Sequence, residues 1–366
     1  MQSNISDWPD FLWSDVDWKA LRSLRGRFLQ FDPREAKSPE PMEPPEPGTI
    51  VEPIPAKEPD RSDYWSSVND LKSYDFTFGE RIGWKWDTVL AELKTRGWTP
   101  PTGTVLDWGC GTGIAGRRVT NEWPDAVRKL TPWDRSARAR DFAVERARAA
   151  FPHTDVRAAA AERPACDLLV VSHVINELTP DALEQLLATA ERAQAVLWVE
   201  PGTSDVSRKL IAVRERLRGS FGIVAPCTHA LECPMLAAGN ERHWCHHFAK
   251  IPGYVHVDAG WGRFSATMQI DLSTLPFSFL VLDKRPAAAG AGPEFKEMPE
   301  ASRVIGRARY YKGYAKALCC QSDGLRELTL AKRAAPELLK SMKKDPGSLY
   351  RWDRDGDNIM GGERIF

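Results

Sequence analysis

The chain has 366 residues, 42% of them hydrophobic, enough for a sizeable core in one large domain with extensions or in two domains. Its 50 Lys/Arg balance 50 Asp/Glu, so overall charge names no partner, and no apolar run nears the roughly 20 residues of a membrane-spanning helix, which argues against a membrane role. Seven cysteines, an odd number, and an opening stretch (Met1 to Asp7) without basic residues argue against a secretory signal or an Arg-rich presequence, and for a reducing, bacterial-type cytoplasm.

Residues 1–60 read as an N-terminal helix followed by an arm. Trp18 to Leu29 has helical spacing, and residues 33–59 hold nine prolines interleaved with glutamates, an extended segment rather than a helix. Asp63 to Leu93 reads as helices anchored by Tyr64, Trp65, Leu71, Tyr74, Phe78, Ile82, Trp86 and Leu90. They lead into the apolar run Thr104-Val105-Leu106, a buried strand that ends at Asp107.

Gly109, Gly111 and Gly113 follow at alternate positions, and a helix begins near Ile114. Strand, glycine turn and helix in this order make a nucleotide site in doubly wound folds, since glycine permits positive φ and close ligand approach. A glycine turn without a ligand is the plainer alternative. The pattern D-x-G-x-G-x-G resembles the first motif of class I S-adenosylmethionine-dependent methyltransferases, which implies that Asp107, Gly109, Gly111 and Gly113 cradle that cofactor. Asp134, at the expected end of the second strand, would accept from ribose hydroxyls or cap the next helix. Asp155 to Ala160, Asp167 to Ser172 and Ala195 to Glu200 continue the alternation of strands with helices, so the fold class is α/β with a mainly parallel, Rossmann-like sheet. Phe221 to Ala225 and Phe277 to Leu282 read as its terminal pair. Residues 61–285 thus form one domain, with a helical lead-in over 61–100 and an insertion over 226–275.

The insertion carries Cys227, Cys233 and Cys245 within 19 residues, beside His229, His246 and His247. Thiolates so clustered suit zinc or an iron–sulfur cluster, and both normally take four protein ligands. His229, His246, His247, Cys319 and Cys320 are the candidates for the fourth; three free cysteines among ordinary histidines is the other reading. The stretches Pro226-Cys227-Thr228-His229, Cys233-Pro234 and Trp244-Cys245-His246 resemble the methyltransferase-like family of small-ribosomal-subunit proteins. Ser172 to Leu178, Glu200-Pro201-Gly202-Thr203 and Phe277 to Leu282 match in the same order, from about Tyr64 to Lys332. The resemblance implies a [4Fe–4S] cluster on Cys227, Cys233, Cys245 and Cys320, the last preceding Gly324 by four positions. Cys319 competes, and the doubled histidine departs from the pattern. Spacing alone leaves zinc open.

Catalytic signals are sparse. After the fourth strand stands Ser172-His173-Val174-Ile175-Asn176-Glu177 rather than an Asn/Asp-Pro-Pro-aromatic motif, and Cys110 and Cys166 are not placed as nucleophiles. His173 and Glu177 are weak candidates for general base work, or else cap the next helix. Residues 286–366 form a basic extension with short β pieces; Arg303 to Arg354 holds 13 Lys/Arg against five Asp/Glu, a net of +8. Arg307, Arg309, Lys312 and Lys316, with Tyr310 and Tyr311, suit RNA phosphates and unstacked bases, or form a solvated hairpin face. Lys340 to Phe366 reads as a basic tail ordered on its partner. The resemblance implies an assembly factor that binds small-subunit ribosomal RNA and the pre-ribosomal small subunit, with no DNA expected. An active RNA methyltransferase and a zinc-stabilised protein-binding module are the alternatives.

Overall fold

The structure, a computed structural model, describes residues 11–28, 65–160, 164–285 and 300–366. The proline-rich arm and Tyr64 lie outside the described residues. Helix α1 (Trp18–Phe28) buries Leu21 and Leu24 against the lead-in. Helix α2 (Val68–Tyr74) opens on a reciprocal cap: Ser67 Oγ accepts from the Asp70 amide, and the Asp70 carboxylate accepts from the Ser67 amide. A π-helical turn, Asp75–Gly79, then joins it to α3 (Glu80–Thr95). Such turns recur at functional sites, and this one faces the glycine loop.

The next elements alternate as the apolar periodicity predicts: β1 (Gly103–Trp108), α4 (Ile114–Glu122), β2 (Val127–Trp133), α5 (Ala137–Ala150), β3 (Asp155–Val156), β4 (Leu168–Ser172), α6 (Pro180–Ala190), β5 (Ala195–Pro201), α7 (Ser204–Leu217) and β6 (Gly222–Ala225). The insertion holds a short strand, β7 (His247–Phe248), and α8 (Ala259–Met268), before β8 (Pro276–Asp283). The strand order is β3-β2-β1-β4-β5-β8-β6, with β7 also paired to β8. Strands β1 to β5 run parallel, and β8 lies antiparallel between β5 and β6. This is the α/β doubly wound sheet of class I methyltransferases, and the expected terminal pair is β6 with β8. The order reverses beside β1, so the glycine loop opens into the crevice where such sheets bind ligands. The third strand is shorter than expected, pairing only Asp155 and Val156 with β2.

The C-terminal residues fold into a closed barrel built from β9 (Ala301–Tyr311), β10 (Tyr314–Gln321), β11 (Gly324–Ala331), β12 (Leu349–Asp355) and β13 (Asn358–Arg364), with α9 (Pro336–Lys344) between β11 and β12. Neighbours run β9-β10-β11-β13-β12 and back to β9; β11 and β13 are parallel, the other pairs antiparallel. The expectation of a tail over Lys340 to Phe366 is therefore corrected. Leu349, Tyr350, Trp352 and Ile359 from this stretch are buried, and Tyr350, Trp352 and Ile359 join Val304, Ala317, Cys319, Leu328 and Leu330 in the barrel core.

Candidate functional site

Three features make up the candidate site. The first is the glycine loop after β1. Gly109, Gly111 and Gly113 all have positive φ, +69°, +51° and +79°. A Cβ at Gly109 would stand 2.6 Å from Val174 Cγ1, whereas one at Gly111 would stand in open space. Glycine at 111 therefore keeps the backbone accessible rather than relieving a clash. Asp107 is buried; its Oδ2 accepts from the Gly116 amide at 3.0 Å, while its Oδ1 is buried without a hydrogen-bond partner. Burial, with Asp134 adding like charge, pushes the Asp107 carboxyl up to about 7. Asp134 directly follows β2 and accepts from the Gly111 amide at 2.9 Å and from the Ser136 amide at 2.9 Å. The cap of α5 is Ser136, whose Oγ accepts from Ala139, so Asp134 braces the loop.

Sequence reasoning missed what holds the loop from below. Arg117, buried on α4, donates to the Thr112 carbonyl at 2.6 Å and to both oxygens of Asp75 at 2.8 Å. Burial acts against the Asp75 carboxylate, but Arg117 and Arg146 outweigh it and hold its pKa below the usual range. Asp75 lies in the π-helical turn, about forty residues upstream, and no local pattern marks the pair.

The second feature is the sheet edge after β4. His173 has φ +57°, a conformation that non-glycine residues adopt at a cost. Its Nε2 lies 2.8 Å from Lys85 Nζ, and its Nδ1 3.1 Å from Ser172 Oγ, which also accepts from Trp86 Nε1. Burial brings Lys85 down to about 7, with the Arg81 charge adding to the effect, and holds His173 well below its ordinary value. Glu200, at the end of β5, accepts from the Val174 and Ile175 amides at 3.1 Å and from Trp198 Nε1 at 2.7 Å. Glu177 turns toward Arg135 and Asp134, and desolvation raises it to about 7 although its tip reaches solvent. His173 is thus engaged with Lys85 rather than with Glu177. The next helix, α6, is capped by Thr179, not by either of them.

The third feature is a cavity between the insertion and the barrel. Cys227, Cys233, Cys245 and Cys320 line it together with Arg214, His229 and Arg303. Strand alternation separates the two adjacent cysteines of β10: Cys319 is fully buried in the barrel core, whereas Cys320 faces the cavity. Arg214, on α7, donates to Cys227 Sγ at 3.3 Å and to the Leu231 carbonyl at 2.7 Å. His247 Nε2 lies 3.7 Å from Cys245 Sγ, and His246 stacks on Trp244 and packs against Gly306 of β9. Burial, reinforced by Cys227, pushes the Cys233 thiol up to about 11, and Cys245 and Cys320 are raised by the same causes. Among the described residues no group of three or more His, Cys, Asp or Glu side chains is arranged to hold a metal ion.

The predicted RNA-facing cations lie on the barrel. Arg307 is exposed, its guanidinium 4.2 Å above the Phe248 ring. Arg309 and Lys316 share Glu327, the latter at 2.7 Å, and Lys312 is exposed in the β9–β10 turn.

Solved structures similar to this chain include a putative RNA methyltransferase from Pyrococcus horikoshii, 12% identical, covering 63% of this chain and 94% of that one with a TM-score of 0.33. Another is magnesium protoporphyrin IX methyltransferase from Synechocystis PCC 6803 with bound SAM, at 14% identity, 60% and 86% coverage and a TM-score of 0.35. A third is a SAM-dependent methyltransferase from Geobacter sulfurreducens in complex with S-adenosyl-L-homocysteine, at 16% identity, 55% and 90% coverage and a TM-score of 0.31. No curated protein matches the chain. The family model "Mitochondrial small ribosomal subunit Rsm22" matches residues 86–358, from within α3 to the first residue of β13. That span takes in the glycine loop, all four cavity cysteines and nearly the whole barrel, and the chain belongs to the Rsm22 family.

Proposed function

We propose that this ribosome-related, methyltransferase-like protein is an assembly factor that binds small-subunit ribosomal RNA, S-adenosylmethionine and a [4Fe–4S] cluster. The observation that carries the reading is the four-cysteine cavity, because its ligands come from both domains. Cys227, Cys233 and Cys245 belong to the insertion of the cofactor domain, and Cys320 belongs to the basic barrel. A single zinc ion would draw its sulfurs to about 2.3 Å from one point. A [4Fe–4S] cluster would instead take each thiolate on a separate iron; the four cavity thiols are donors for either group, and the family resemblance favours the cluster. Arg214 donates to Cys227 Sγ and places a positive charge at the rim of the cavity, where an anionic thiolate-bound group would sit. The group would act chiefly as a clamp across the domain junction.

The cofactor fit rests on the loop. Gly111 leaves an open backbone, and Asp107 Oδ1 offers a buried acceptor with no protein donor. Bound there, S-adenosylmethionine supplies an electrophilic methyl group. Asp134 braces the Gly111 amide, Glu200 fixes the Val174 and Ile175 amides, and Lys85 and His173 stand at the same sheet edge.

Catalysis is the second reading, favoured by Lys85. A buried amine brought to about 7 is able to accept a proton at neutral pH. Anaerobic purification with iron, sulfide and zinc analysis tests the cluster: zinc without sulfide overturns it. Tritium transfer from labelled cofactor to small-subunit RNA separates the readings, since RNA binding without transfer supports the assembly factor and transfer supports the enzyme.

A further inference from the structure

The barrel has a topology of its own. Its strand order, the parallel β11–β13 pair and the helix between the third and fourth strands are those of the oligonucleotide-binding barrel. In that barrel ligands cross the face of the second and third strands, here β10 and β11. The outward residues of these strands divide that face in two. Leu318, Cys320 and Leu325 pack with Ile211, Cys233 and Met235, so one half is closed by the cofactor domain. The other half, around the β9–β10 turn, is open.

The open half is furnished for unpaired bases. Tyr311 and Tyr314 are register partners across the turn, with ring centroids 4.7 Å apart and planes within 12°. Tyr311 is 46% exposed, so the stack ends in an accessible aromatic surface that a third ring can extend. Gly313, at φ +93°, makes the turn tight enough to hold the rings together. Lys332 donates its amide to the Gly313 carbonyl at 2.8 Å, which brings the turn after β11 alongside. Lys312, Lys332 and Arg333 are exposed there, and no carboxylate pairs with them among the described residues. Further along, Arg309 and Lys316 share the single charge of Glu327 and leave one positive charge over.

We infer that the open half of the β10–β11 face binds a short single-stranded RNA segment, one base stacking on the Tyr311–Tyr314 pair and phosphates lying over Lys312, Lys332 and Arg333. The inference rests on the ribosomal RNA reading and specifies which RNA structure is taken and where. A stacking platform has no use for a base already paired within a helix, so duplex RNA is disfavoured. A protein partner would meet the same cations without needing the ring stack.

The test uses the full chain. Fluorescence anisotropy with a labelled single-stranded RNA of about ten nucleotides, within the span of one such barrel, gives the affinity. The Tyr311→Ala/Tyr314→Ala variant is expected to bind about tenfold or more weakly, and the Tyr311→Phe/Tyr314→Phe variant to bind as wild type. Lys312→Gln/Lys332→Gln/Arg333→Gln should flatten the salt dependence. A perfect duplex of the same sequence should compete poorly. Equal binding by the alanine variant, with unchanged thermal melting, overturns the inference, as does equal competition by the duplex. A small-subunit ribosomal RNA transcript is titrated in parallel. If wild type binds that transcript and the alanine variant binds it equally, only the present inference fails; if wild type binds neither RNA, the ribosomal RNA reading fails as well.

Discussion

Asp107 carries two oxygens with different fates. One is satisfied by Gly116; the other is buried without a donor, and the carboxyl is raised from the ordinary 3.8 to about 7. The folded chain therefore holds this proton more tightly than the unfolded chain. The linked stability is complete below the unfolded value and is lost as pH rises through about 7. Asn at this position keeps an acceptor for Gly116 and removes the charge. Asp107→Asn should thus gain up to about 4 kcal/mol over wild type at about pH 8, about a third of that at about pH 5, and little at about pH 3, below the unfolded value. Thermal melts at these pH values check it. Cofactor affinity, by calorimetry, should fall about tenfold or more if Oδ1 is the ligand-facing acceptor. Cys319 and Cys320 give a second contrast at this scale. Cys320→Ser should abolish the iron content that Cys319→Ala leaves intact, the latter costing about 1–2 kcal/mol of packing. Iron analysis of both anaerobic proteins decides between them. The sequence offered both cysteines; the alternation of β10 sends them to opposite sides of one strand, and that alternation becomes readable only once the strand's limits are known.

At the scale of elements, the domains are joined through helix α3 and strand β9. Glu92 on α3 receives Arg96 at 2.9 Å and Arg303, the third residue of β9, whose Nη1 donates at 3.0 Å. Both arginines also hold the Pro226 carbonyl at the mouth of the cysteine insertion, at 3.0 and 2.9 Å. Burial opposes the Glu92 carboxylate, yet Arg303 and Arg96 together keep its pKa below the usual range. Removing one partner of such a network strands buried charge. Glu92→Ala should cost about 3–5 kcal/mol, with barrel and cofactor domain melting as separate transitions in calorimetry. The sequence could not show this triad, since Glu92 and Arg303 stand 211 positions apart. The parallel strands were legible because burial on both faces makes them continuous apolar runs, as in Leu168–Ser172 and Ala195–Pro201. Strands β12 and β13 were not. Their sequences, LYRWDRD and NIMGGER, are rich in charge and glycine, and their few apolar side chains gain a core only when the barrel closes.

Across the whole molecule, the cofactor domain, the cysteine cavity and the barrel form a chain of dependencies. The cofactor domain closes half of the barrel's ligand face beside the cysteine cavity, so whatever fills the cavity bears on how that half is held. Two sets of contacts compete to explain that docking: the buried Glu92 triad, which needs no metal, and the four thiols, which repel one another when ionised unless a cation holds them. Cys227→Ala distinguishes their shares, because it removes a thiol but leaves Glu92, Arg96 and Arg303 untouched. If the thiol-bound group is the clamp, hydrogen exchange should quicken about tenfold or more in β10 and around Arg303–Ile305, while β1 and β4 keep their protection. Single-stranded RNA binding should then weaken with cofactor binding unchanged. Exchange that stays at the wild-type level in β10 would assign the docking to the ion triad alone. In that case the cysteines would shape the cavity without holding the domains together, and their loss would leave the RNA-facing half of the barrel where the structure has it.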